Sequence, residues 1–248
     1  MVCSFQEMEK RRVRLCARFL QQQCFAAESS SLTACLCGIV AQWLNNPLEN
    51  EKLGEWLVRA SCHCPTVSVP MLLLASVHRA ILADYPATRL LAAYFPTVGG
   101  FRSPLASELA PLFRQAVHAC RQQLVSDFIS STVQTNESSR GLCWYLPLLY
   151  TGLTAVHLVD LGCSAGINLV ADLRQYRLCA NADGDSDICL GKGEGEPFVI
   201  AHHGAFFAPQ QGTLPRVFSR LGCDRLPLRL NSQADELRLL SFVFHRDA

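Results

Sequence analysis

The chain has 248 residues, half of them hydrophobic, and 22 basic residues stand against 21 acidic ones for a net charge of +1. That length and apolar content can fill one large core or two modest ones, which excludes a chain disordered throughout. The near-zero charge excludes a global field that would gather nucleic acid or an anionic membrane, so neither is an expected partner without a local patch.

Residues 1–131 read mostly as helices. Apolar periodicity runs through 11–27, 32–44, 70–83 and 105–129, with punctuation at Asn45-Asn46-Pro47, at Pro65, and at Pro96 followed by Gly99 and Gly100. The first helix sets Lys10, Arg11, Arg12, Arg14 and Arg18 against Val13, Cys16, Ala17, Leu20 and Cys24, which predicts a solvated basic face on an amphipathic helix. No apolar stretch with a cleavage site follows Met1, and Glu7 and Glu9 argue against a transit peptide, so a cytoplasmic protein without a signal peptide is expected. The 13 cysteines are odd in number and scattered, and they read as thiols. Cys35/Cys37 and Cys62/Cys64 with His63 lack zinc spacing, and His202 and His203 complete no site, so no metal is expected. His78, on an apolar helix, reads as a hydrogen-bonded core histidine.

Further along, 132–136 offers caps for a helix that carries Arg140, Trp144 and Leu148, kinked at Pro147. The uncharged run from Gly141 to Val159 is long enough to cross a bilayer, but Pro147, Thr151, Gly152 and Thr154 break it and Asp160 follows, so no membrane span is expected. A short strand, a glycine loop and a helix over 167–176 come next. The polar stretch 181–196 reads as a surface loop. A strand over 198–201, a short helix near 216–220, a strand near 226–230 and a final helix from Ala234 complete the pattern.

The segment Val156-His157-Leu158-Val159-Asp160-Leu161-Gly162-Cys163-Ser164-Ala165-Gly166-Ile167-Asn168 is an apolar strand ending in an acid, then a loop with two glycines four apart. A nucleotide-type cofactor needs this at the carboxyl edge of a parallel sheet. Gly162 lets the chain turn and Gly166 admits a close ligand, since neither carries a Cβ, and amides at the start of the next helix attract an electron-rich group. Asp160 repels a pyrophosphate, and Ser164 stands where G-x-G-x-x-G has its second glycine, which disfavours a nicotinamide-dependent oxidoreductase.

The pattern D-x-G-x-S-x-G-x-N resembles the first motif of class I methyltransferases. The resemblance implies that Asp160, directly or through water, serves the ammonium of S-adenosylmethionine. Gly162 and Gly166 would border its methionine portion, with Ser164 and Asn168 in the same loop. Leu72-Leu73-Leu74-Ala75-Ser76-Val77-His78-Arg79, Ala93-Tyr94-Phe95-Pro96-Thr97-Val98-Gly99-Gly100, Val133-Gln134-Thr135-Asn136-Glu137 and the 160–168 loop are similar, in order and spacing, to successive signatures of the domain-of-unknown-function 2332 family. Gly222-Cys223-Asp224-Arg225-Leu226-Pro227 and 237–243 resemble its downstream part. The likeness covers about 70–243 and carries fold rather than activity. It departs at Phe244-His245-Arg246, where the family shows Trp-Pro-Asp. Only 82 residues follow Gly166, which leaves little chain for the remaining strands of a full sheet. The expected fold is α/β: a helical N-terminal part over 1–131, then a Rossmann-like, methyltransferase-type parallel-sheet unit over 132–248, incomplete at the C-terminus.

A ribose-binding acid belongs about 20 residues past such a loop, where Asp183, Asp185 and Asp187 lie; Asp224 serves instead if 181–211 is an insertion. The same acids imitate a calcium loop, but Ile188 occupies the glycine position, so a solvated acidic loop is expected. Gln134, Asn136, Glu137 and Arg140 read either as pocket lining or as a helix cap, and Tyr94 divides the same way. No general base can be named. An S-adenosylmethionine-binding protein, a methyltransferase if an acceptor is present, is therefore the expectation, with a small molecule or a protein as acceptor. The rival is a non-catalytic interaction or regulatory protein that keeps the fold.

Overall fold

The structure, a computed structural model, describes residues 4–45, 47–134, 138–179, 188–191, 193–201 and 214–243. They fall into two compact units, divided as Met1–Gln134 with Asn231–Ala248 and as Thr135–Leu230. No helix among the described residues is long and apolar enough to cross a membrane. No disulfide joins the cysteines among them, and they hold no group of three or more side chains suited to a metal.

The first unit is helical: α1 (Phe5–Ala26), α2 (Ser31–Asn45), α3 (Pro47–Ala60), α4 (Val69–Leu82), the short α5 (Arg89–Ala92), α6 (Ala106–Ala119) and α7 (Arg121–Ser130). Ser4 and Glu7 form a capping box that starts α1, each satisfying an amide that the first turn leaves over. The buried face of α1 differs from the sequence expectation. Leu15 and Phe19, one turn apart, are fully buried, whereas Val13 and Leu20 are exposed. The basic patch is not simply solvated either. Arg11 donates to the carbonyls of Ser61 and Cys64, and Arg12 to that of Leu44, so both guanidiniums close carbonyls at the ends of α2 and α3. The core runs along α2 and α4, whose apolar residues are buried on nearly every side, and Trp43 stacks on Phe113 with centroids 5.5 Å apart.

The second unit opens with a 3₁₀ turn at Ser138–Gly141 and α8 (Leu142–Leu148). Its strands are β1 (Ala155–Leu161), β2 (Tyr176–Cys179), β3 (Ile188–Leu190), β4 (Phe198–Ala201) and β5 (Arg216–Cys223). They form two small sheets. β1 and β5 pair in parallel, and β2 lies between antiparallel β3 and parallel β4. Three expectations are corrected. Residues 216–220 are strand rather than helix, 226–230 hold no strand, and 188–190 pair as β3 within the stretch read as a loop. A small core of Leu142, Tyr145, Leu149, Ala171, Tyr176 and Leu178 packs α8 on β2.

The last helix, α9 (Gln233–Leu240), is capped by Ser232, starts close to the Ala234 expected from the sequence, and belongs with the first unit. Its end is tied to α4 by His78. The ring is buried and stacked on Phe95, with Nδ1 3.0 Å from the Ser241 carbonyl and Nε2 2.6 Å from Thr97 Oγ1. A carbonyl only accepts, so the proton sits on Nδ1 and Nε2 accepts from the threonine hydroxyl. Burial holds the imidazole below its ordinary value of 6.5. Its contribution to stability is therefore complete above 6.5 and is lost as pH falls from there through the folded-state value. Thermal unfolding between pH 7.5 and 5 should show a falling midpoint, and His78→Gln, which can still bridge Ser241 and Thr97, should flatten that slope. Identical slopes in both proteins would assign the pH dependence to other groups.

Candidate functional site

The loop after β1 turns by placing alternate residues in the left-handed region: Gly162 at φ 83°, Ser164 at 52° and Gly166 at 74°. Glycine adopts this at little cost, but a serine there needs compensation. The compensation comes from the end of β5. Ser164 donates its amide to Asp224 Oδ2 at 2.9 Å, and the Leu228 amide donates to the Ser164 carbonyl at 3.2 Å. Asp224 Oδ1 accepts from the Leu226 amide at 2.9 Å. These amide bonds, from Leu226 and then Ser164, hold the Asp224 carboxyl below the usual aspartate range.

Three more loop amides are committed. Gly162 and Cys163 donate to the Cys223 carbonyl at 2.7 and 3.3 Å, and Gly166 donates to the Cys163 carbonyl at 2.7 Å. The amides of Gly162, Cys163, Ser164 and Gly166 are therefore turned to the protein's own acceptors.

The α-helix that the sequence predicts over 167–176 does not form. In its place the chain makes a 3₁₀ run, Ile167–Leu173, broken at Val170, and enters β2 at Tyr176. The carbonyls that an α-helix would spend internally are taken by side chains. Arg174 Nη2 donates to Ile167 at 2.7 Å, Trp144 Nε1 to Asn168 at 2.7 Å, and Arg220 Nε to Leu169 at 2.9 Å. The argument from amides at a helix start therefore falls away, since a short 3₁₀ run has little dipole. Gly222 allows the close approach of β5, because a Cβ there would lie 2.6 Å from Cys163 Sγ.

A cavity of about 340 Å³ opens beside the loop, lined by Asp160, Gly162, Asn168, Arg140, Trp144 and the neighbouring strand and loop residues. It brings together four of the sequence-predicted residues: Asp160, Gly162, Asn168 and Arg140. Ser164 is buried in the loop, and Gly166 precedes the 3₁₀ run without lining the cavity. Gln134 and Tyr94 belong to the first unit, where Gln134 donates to Thr132 at 3.0 Å and Tyr94 donates to Glu108 at 2.8 Å. Asn136, Glu137, Asp183, Asp185, Asp187, His202, His203 and Phe244-His245-Arg246 lie outside the described residues.

Asn168 belongs to the wall, but its Oδ1 is shut off from solvent and has no hydrogen-bond partner among the described residues. The charged groups of the wall are Asp160 and Arg140. Burial, and then the charges of Asp160 and Asp224, push the thiol of Cys163, also in the wall, above the ordinary range. Sequence reasoning missed the roles of Trp144 and Arg220. Their contacts are 24 and 51 residues away and leave no local pattern.

Asp224→Ala removes both acceptors at the loop, so the Ser164 and Leu226 amides should exchange with solvent roughly tenfold faster or more, measured by nuclear magnetic resonance. In the unaltered protein, protection should persist as pH falls below the ordinary aspartate value of 3.8 and vanish only as it passes the lower folded-state value. Unchanged exchange in the variant would remove Asp224 from its place as the loop's anchor.

Neither the curated proteins nor the solved structures contain a match to the chain. The sequence pattern described as "Uncharacterized protein conserved in bacteria (DUF2332)" matches residues 17–246, which takes in both units. The chain belongs to the DUF2332 family.

Proposed function

We propose that the second unit binds S-adenosylmethionine in the cavity beside the glycine loop. The observation that carries the reading is the Asp160 carboxylate in the wall of that cavity, beside a loop whose Gly162, Cys163, Ser164 and Gly166 amides are already bonded. A carboxylate so placed suits an ammonium, which brings it donors. Trp144, Leu158 and Leu169 supply an apolar surface in the same cavity, of the kind that receives a purine base. The parallel partner of β1 supports the reading as well. Asp224 follows β5 directly, at the same end of the ladder as Asp160, whose own partner in register is Gly222, and there the methyltransferase likeness places a ribose-binding acid. Asp224 spends an oxygen on each of two amides, so a ribose hydroxyl would share those oxygens.

When bound, S-adenosylmethionine supplies an electrophilic methyl on a sulfonium, and the protein's part in a transfer is to position an acceptor and exclude water. A second reading, binding without turnover, draws on a specific observation. Among the described residues the sheet at the site has two strands, and Val159, Leu161, Phe218 and Leu221 stand exposed on it.

Calorimetric titration of the full chain tests the proposal. Gly166→Val forces a β-branched side chain into a left-handed backbone and should abolish binding. Asp160→Asn keeps the shape and removes the charge, and should weaken binding roughly 10- to 150-fold. Circular dichroism must show both variants folded. If the unaltered protein binds no better than the folded variants, the cofactor assignment is wrong.

A further inference from the structure

We propose that the first unit carries a separate small-molecule site, for an amphipathic monocarboxylate, in the groove bordered by α4, the α6–α7 junction and α9. It is independent of the cofactor reading. The starting point is α4, a largely apolar and buried helix that also carries Ser76, itself buried, and Arg79. Polar groups on such a helix need partners, and Asp127 on α7 provides them. Its carboxylate, with a side chain only 8% exposed, accepts from Ser76 Oγ and Arg79 Nη2 on one oxygen, each at 2.5 Å. On the other oxygen it accepts from Gln123 Nε2 at 3.2 Å and Ser131 Oγ at 3.4 Å. Four donors fill the capacity of a carboxylate. Asp127 is therefore saturated, and it fixes Arg79 from one side.

Arg79 is not saturated. A guanidinium carries five N–H donors, and only its bond to Asp127 is made among the described residues. The rest of the group borders a groove of about 480 Å³, within the range of roughly 300 to 1,000 Å³ in which small ligands bind. Gln122 and Gln123 add amides to the same wall, and Ala80, Ala119 and Leu237 give it an apolar floor. A second guanidinium stands near: Arg238 on α9 donates to Ser131 at 3.2 Å, and Arg79, Asp127, Ser131 and Arg238 also line one adjoining hollow. Arg79 pairs with Asp127, and Arg238 lies within the field of Asp235, whose carboxylate also accepts from Ser232 and Asn231 at the cap of α9. A held arginine with open donors above a small-residue floor fits a ligand with a carboxylate head and an apolar body.

Octanoate and its uncharged counterpart 1-octanol, titrated into the full chain by calorimetry, test the proposal. Octanoate should bind one-to-one and saturably, at least roughly tenfold tighter than 1-octanol. Arg79→Gln should weaken octanoate by roughly 10- to 100-fold and leave 1-octanol within about twofold. Because that variant also strips Asp127 of a partner, Ala119→Trp provides a second arm. The position is exposed, the ion pair stays intact, and the indole should fill the groove and abolish binding with the thermal midpoint unchanged. No saturable octanoate binding by the unaltered protein would overturn the proposal. So would equal affinity for octanoate and 1-octanol, or octanoate binding that Ala119→Trp leaves intact.

Discussion

The Asp224 carboxylate ties the loop that leaves β1 to the end of β5. β1 and β5 form a two-stranded parallel ladder, and parallel pairs ordinarily depend on neighbours and on covered faces for their stability. Here the loop that leaves β1 is stitched to the segment that leaves β5 by the amides of Ser164, Leu226 and Leu228 and by the Cys223 carbonyl. That stitching permits a serine to sit in the left-handed region between two glycines, and it decides which polar groups remain for a ligand. With four loop amides bonded within the protein, the charged groups left in the cavity wall are Asp160 and Arg140. The electrostatic character of the site thus follows from how the backbone bonds of one loop are satisfied.

A similar logic shapes the 3₁₀ run after the loop. Asn168 and Val170 are weak helix formers, and three side chains from α8, the β2 approach and β5 take the carbonyls of residues 167, 168 and 169. The run is thereby bolted in place on several sides without the ladder of an α-helix. Arg220 also pairs with Asp172, so β5 contributes both an ion pair and a carbonyl cap to the segment bordering the cavity. A site built this way has rigid walls for its size, which suits binding more directly than it suits a particular reaction.

Much of the first unit was legible in the sequence. The periodic runs at 32–44 and 70–83 are α2 at Ser31–Asn45 and α4 at Val69–Leu82, since a buried helix writes its period plainly. The face of α1 was not, because Arg11 and Arg12 look like solvated charges until the carbonyls they cap, 32 to 53 residues away, are brought beside them. In the second unit the strand-loop junction at β1 was visible. β5 was not, because Arg216, Ser219, Arg220 and Gly222 interrupt its apolar residues and its identity as a strand comes from pairing with β1. Asp224 stands out in the sequence only as a candidate ligand acid. Its bond to Ser164, 60 residues back, depends on register and has no signature in local sequence.

The central proposal is that the cavity beside the closed loop receives S-adenosylmethionine. Hydrogen exchange of the full chain, followed by mass spectrometry with and without saturating S-adenosylmethionine, addresses it most directly. The account predicts slower exchange in peptides spanning 160–168 and 222–228, with the helical peptides of the first unit unchanged. Unaltered exchange at 160–168 under saturating ligand, or protection confined to other segments, would contradict it.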